Sequence, residues 1–270
     1  MGKAKPTDLV LVLRRGVKLA RKVESAANTT SPQTAICVVA YGLLVRNRRL
    51  ASAINRLGKC SAYEGRILVR SMVEIMINYA WIRHRKKHSR AVRFLRYEPL
   101  ERLRIHRNMS TAMPPAKYMA SKSCLEAERR KVRHLFRFRD RNGHMHWAKD
   151  WAIVNSVEAR LGEIISNDKP AALKADLWLY SLYSLLSSAV HGGPISVQEV
   201  LAKRQDILVA ARRPEPRPQT HLTGAAAVLA WTMQAAAEDL RINPSLRREV
   251  ADFWADVQGL KPSGRIRETD

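Results

Sequence analysis

Tyr180-Ser-Leu-Tyr-Ser-Leu-Leu-Ser-Ser-Ala-Val-His-Gly-Gly-Pro194 carries the clearest local reading in the chain. Leu182, Leu185, Leu186 and Ala189 recur at helical spacing and make one apolar face. Tyr180, Ser184, Ser187 and His191 form a polar stripe, because steps of three and four return to one side of a helix. Gly192-Gly193-Pro194 stops the helix: Gly accepts the left-handed cap conformation, and Pro cannot continue the ladder. His191 therefore falls on the last turn, where the helix dipole favours a histidinium.

The same 3.6-residue period recurs along most of the chain, which predicts an all-α fold. Asp8 is placed to cap a helix over residues 9–24, with Leu9, Leu13, Val17 and Ala20 on one face. Ala26–Ser31 reads as a polar break. A second helix is expected from Pro32, capped by Ser31, to Leu57, with Gly58 ending it. A third begins at Ser61 or Ala62 and runs to about Arg85. Its Ile67, Met72, Ile75, Met76 and Tyr79 lie on several sides, as in a buried helix. Pro99 divides the strongly basic run 83–107. Met113-Pro114-Pro115 opens a helix expected to reach Arg139, Asn142-Gly143 signals a turn, and 150–161 reads as a short helix.

Ile207-Leu208-Val209 reads as a helix or a short strand, so a strand or hairpin is expected near 205–213. Residues 1–213 form the expected helical core domain, and 214–219 (Pro-Glu-Pro-Arg-Pro-Gln) an extended linker. Residues 220–258 are a C-terminal helical pair, packed as an appendage, with Asn243 capping its second helix. Residues 259–270 are expected to be a disordered tail.

The charge balance speaks of partners. Lys and Arg number 48 against 24 Asp and Glu, a formal net charge of +24. Nucleic acid is the commonest polyanion to meet such a surface, followed by an anionic membrane or an acidic protein. Cys37, Cys60 and Cys124 form no CxxC pair, which fits a reducing cytoplasm and neither a zinc ribbon nor a disulfide framework. The uncharged run 34–45 is too short to span a bilayer. There is no GxxxxGK[ST], no GxGxxG before a helix and no HExxH, so no cofactor or metal is expected. His84 and His88 are one turn apart, but Arg85, Lys86 and Lys87 crowd any cation there.

Two constellations are candidates for chemistry. Arg70 and Glu74 lie four apart on a largely apolar helix, where charges are costly unless paired. Together with Tyr183, Ser187 and His191 they make a candidate polar centre: Arg for an oxyanion, His for a proton, Glu to orient the His. A salt-bridge network that fixes helix register explains the same residues. The second constellation is Arg141-Asn142-Gly143-His144-Met145-His146. It is similar to the Arg-polar-x-x-x-His pattern of the higher-eukaryote and prokaryote nucleotide-binding ribonucleases, in which Arg and His are thought to cleave RNA without metal. Arg141 and His146 would be that pair, although Arg-x4-His also recurs at Arg83/His88 and Arg129/His134, and the Gly143 turn runs against a helical context.

Candidate phosphate contacts are Arg85, Lys86, Lys87, Arg90 and Arg93 in the first basic run, and Arg129, Arg130, Arg133 and Arg137 in the second. Phe94, Tyr97, Phe136 and Phe138 are interleaved with them. Exposed, they would stack on unpaired bases; helical spacing also lets them face the core.

Tyr183, Leu186, Ser187, Val190 and His191, with Arg70 and Glu74 one turn apart on an earlier helix and a Trp-containing turn at 143–147, resemble a bacterial helical family, the domain of unknown function fifty-six seventy-seven. The resemblance covers roughly residues 63–194 and departs at Ser184, where that family often has Arg. It implies a helical fold and one shared polar cluster, and carries no activity. The expected function is nucleic-acid association as a binding module, with RNA favoured over single-stranded DNA. The alternatives are a metal-independent ribonuclease, toxin-like or a defence effector, and a structural subunit neutralised by an acidic protein partner.

Overall fold

The computed structural model describes residues 8–30, 34–58, 61–108, 112, 114–140, 142–152, 156–165, 201–204, 207–210 and 220–259. The fold is all-α with short antiparallel hairpins, as the periodicity predicts. Three long helices open it: α1 (Leu9–Thr30), α2 (Ala35–Leu57) and α3 (Ala62–Arg83). The Ala26–Ser31 break begins later than expected, because α1 continues to Thr30. The cap of α2 is Thr34, whose hydroxyl accepts from the Cys37 amide, and not Ser31. Gly58 ends α2 at φ +62, a conformation that favours glycine.

The basic middle of the chain forms α4 (Lys87–Arg96), α5 (Glu98–Asn108) and α6 (Pro115–Lys131), with Pro99 in the first turn of α5. The helix expected to reach Arg139 stops at Lys131. A four-residue turn of helix, α7 (Arg133–Phe136), leads into β1 (Arg137–Arg139), which pairs antiparallel with β2 (Met145–Trp147). Arg137 sits opposite Trp147, Phe138 opposite His146 and Arg139 opposite Met145. The turn between them needs Gly143 at φ +83.

The short helix expected over 150–161 is α8 (Val157–Ile165), which starts later because Ser156 caps it. Asp150 instead accepts from the Ala152 amide and from Arg160. The strand expectation near 205–213 is met by β3 (Leu201–Arg204) paired with β4 (Ile207–Ala210). The last described elements are α9 (Thr220–Asp239) and α10 (Pro244–Gln258), the latter capped by Asn243.

The C-terminal pair is not an appendage. α9 packs on α1, α2, α3 and α10, and its Leu222, Ala225, Ala226, Leu229, Ala230, Met233 and Ala236 are buried. The Ala-rich composition permits this: small side chains keep the helix thin, so neighbours approach from several sides. Two glycines set the α3–α9 approach. A Cβ on Gly65 would lie 2.6 Å from the His221 ring, and one on Gly224 3.2 Å from Val69. Polar links run through the same core: Asn47 on α2 donates to Thr232 on α9, and the Cys37 thiol donates to the Asp239 carbonyl. α5 and α6 pack mainly on each other and form a helical arm beyond this core. Among the described residues no helix is long and apolar enough to cross a membrane.

Candidate functional site

The structure first sorts the predicted polar centre. Arg70 and Glu74 face each other across one turn of α3, with Nη1 3.9 Å from Oε2. The Glu74 side chain is 41% exposed, so its carboxylate keeps contact with water. Tyr183, Ser187 and His191 lie outside the described residues, as does Arg141.

The first basic run is largely committed to holding the fold. Lys87 pairs with the buried Asp239 of α9, which also accepts from Tyr79 at 2.7 Å and lies 3.1 Å from Arg83 Nε. Arg90 lies 3.6 Å over the Trp81 ring and pairs with Glu163 of α8. Burial alone would raise the Glu163 carboxyl. Hydrogen bonds from Trp81 and Arg90, together with the Arg90 charge, outweigh it and hold the group below its usual range. Arg93 stacks over Phe136 and donates to the Trp151 carbonyl, and burial lowers its pKa. Of the five predicted contacts in this run, Arg85 and Lys86 are exposed.

The second run divides differently. Arg129 lies 4.6 Å over the Trp147 ring and helps seat the β1–β2 hairpin on α6. Arg130, Lys131, Arg133, Arg137 and Arg139 are exposed and form no ion pair among the described residues. They make a strip of positive charge from the end of α6 into β1 that no carboxylate pairs among the described residues. Of the four interleaved aromatics, Phe94, Tyr97 and Phe136 pack inward against Trp151 and one another, whereas Phe138 is exposed.

Beside that strip sits a pair the sequence reading did not anticipate. Asp140 Oδ2 is 2.7 Å from His146 Nε2, while Oδ1 accepts from the Asn142 and His144 amides. Desolvation would raise this carboxyl, but the His146 bond and the two amides outweigh it and keep it below the usual carboxylate range. With Nε2 engaged by Asp140, Nδ1 is the remaining polar atom of a half-exposed imidazole. The signal for this pair was present: Asn142-Gly143 flanked by Phe138 and His146 is hairpin punctuation, and the hairpin closes Asp140 onto His146. The arrangement is a β-hairpin, so the described residues 142–146 do not have the helical context of the ribonuclease pattern. No group of three or more His, Cys, Asp or Glu that could hold a metal occurs among the described residues.

No curated protein and no solved structure matches the chain. A family model does match, over residues 38–207, which is more than half of the chain. The match takes in α2 through β3, the basic arm and the β1–β2 hairpin, while α1, α9 and α10 complete the core from outside it. A sequence that matches the family model over α2, α3 and the whole basic middle belongs to that family: the chain is a member of DUF5677, a family of unknown function.

Proposed function

We propose that this protein associates with nucleic acid, RNA in preference, through the strip formed by Arg130, Lys131, Arg133, Arg137 and Arg139. The observation that carries the reading is the lack of any carboxylate paired with these five cations among the described residues. Lys87 and Arg90, by contrast, are neutralised inside the fold. Exposed cations held apart from carboxylates keep water and counterions, and a polyphosphate releases those counterions on binding. Arg85 and Lys86 add charge at the start of α4. An acidic protein would answer the same charge, since guanidinium groups pair bidentately with carboxylate and phosphate alike, so the two partners are set against each other in the test. Binding of labelled RNA by the purified protein at low salt tests the reading. Absence of binding at low salt to RNA, and formation of a stable complex with an acidic protein instead, would refute it.

A second reading, metal-independent RNA cleavage, has one observation in its favour. Asp140 fixes His146 next to the arginine strip, as a base beside a phosphate would need. Cleavage that survives a chelator and is lost in His146→Ala would support it; intact RNA after long incubation would remove it.

A further inference from the structure

Resting on the nucleic-acid reading above, we propose that the β1–β2 hairpin is a stacking platform for the unpaired bases of single-stranded RNA, with Phe138 as the ring on which a base lies. Phe136 is the last residue of α7, and Phe138 is the middle residue of β1. Their fates differ sharply. Phe136 is 1% exposed and closes the aromatic cluster with Tyr97, whereas Phe138, two residues on, is 44% exposed. The ring has passed the edge of the core, and its described ring neighbour is His146 on the paired strand, 6.1 Å between centroids.

An exposed phenylalanine in a hydrophobic environment would suit a protein partner. Its surroundings here are the opposite. Residues 129–149 hold eight Lys and Arg (129, 130, 131, 133, 137, 139, 141 and 149) against a single acid, Asp140. That acid is already engaged by His146 and two amides. Arg137 and Arg139 flank Phe138 in sequence and both are exposed. Alternation puts Arg137 and Arg139 on the other face of this narrow two-stranded ribbon, so a nucleic-acid strand would cross its edge: the ring takes a base on one face, and the guanidinium groups take phosphates that pass round the edge. A second copy of this protein would bring its own positive strip against this one.

A duplex cannot use the ring, because its bases are already stacked inside. RNA is the source of unpaired bases to which such a surface is suited, in loops, bulges and ends. Asp140 contributes by position. It holds His146 beside Phe138 and ties the turn at Asn142 and His144, so the platform is fixed before RNA arrives.

The test compares wild type, Phe138→Ala and Phe138→Trp in fluorescence anisotropy with a labelled unstructured single-stranded RNA and with an RNA duplex, at one low salt concentration. The single-stranded RNA should lose about tenfold in affinity in Phe138→Ala, in line with the worth of one stacked base. Duplex affinity should stay within about twofold. Phe138→Trp should restore single-strand binding, and its indole fluorescence should be quenched when RNA is added. If wild type binds both RNAs and Phe138→Ala binds both equally well, the platform is refuted while the nucleic-acid reading stands. If wild type binds neither, both fall. A concentration-dependent dimer that Phe138→Ala dissolves would assign the ring to self-association and overturn the proposal.

Discussion

Tyr79 on α3 donates its hydroxyl to the Asp239 carboxylate on α9 at 2.7 Å, in a site where the Asp239 side chain is 1% exposed. Arg83 and Lys87 meet the same carboxylate, so three elements are joined at one buried anion. Replacing Asp239 by Ala removes the anion and leaves the Tyr79 hydroxyl without its acceptor. Breaking a buried charge pair from one side costs about 3 kcal/mol. Chemical denaturation of Asp239→Ala should show a loss of that order, and Tyr79→Phe a loss of about 1 kcal/mol. Equal midpoints for wild type and Asp239→Ala would contradict the network.

The same pair sets an alkaline limit. Burial and the nearby Asp239 charge raise the Tyr79 pKa well above its ordinary value. A group whose pKa is raised on folding stabilises the protein below its unfolded value, about 10 for tyrosine, and that stability drains away as pH rises further. The urea midpoint should therefore fall above about pH 10, and Tyr79→Phe should flatten the fall. A wild-type midpoint that is level through this range would exclude the linkage.

Glu163 gives the mirror case in acid. Its carboxyl is held below the usual range by Trp81 and Arg90, against the opposing pull of burial. A depressed carboxylate stabilises the fold above its unfolded pKa, about 4.3, and the contribution is lost as pH falls through the folded value. Glu163→Gln should lower stability at neutral pH by about 1–3 kcal/mol and reduce the acid dependence. Thermal melts at pH 7 and pH 4 would read both effects, and an unchanged acid limb in the variant would count against the Arg90–Glu163 link.

Gly65 tests the α3–α9 crossing. A Cβ there would meet His221 at 2.6 Å, and His221 is held by a 2.9 Å bond to the Gly58 carbonyl. Gly65→Ala should cost about 1–3 kcal/mol as the crossing opens. Gly42→Ala on α2 is the control: nothing lies within 4 Å of its Cβ, so alanine should be neutral or stabilising by roughly 0.5–1 kcal/mol. Melting temperatures ordered the other way would contradict the packing described.

Local punctuation was legible and partnership was not. Gly58, Pro99 and Asn243 mark boundaries through their own backbone chemistry, and the helices turn where they stand. The role of Arg90 depends on Glu163, 73 positions away, which no spacing rule reports. For that reason Lys87, Arg90 and Arg93 read as solvent-facing phosphate contacts in sequence and hold the fold in the structure. Thr220–Asp239 read as an outlying helix because alanine suits an exposed helix and a buried one equally. The hairpin signal at Asn142-Gly143 was outweighed by an Arg-rich run whose helical spacing continues past the point where β1 begins. Arg70 and Glu74 lie one turn apart on α3, while Tyr183, Ser187 and His191, the other half of that reading, lie outside the described residues.

The central claim is that the positive charge on Arg130, Arg133 and Arg137 meets phosphates. Its most direct test is the salt dependence of single-stranded RNA affinity for wild type and for Arg130→Ala/Arg133→Ala/Arg137→Ala. Each phosphate neutralised on a single strand contributes about −0.7 to the slope of log affinity against log salt. The triple variant should bind more weakly at low salt and show a slope shallower by about 2, with an unchanged circular dichroism spectrum. A variant that keeps the wild-type slope and affinity, or a wild type that binds no RNA at low salt, would contradict the account.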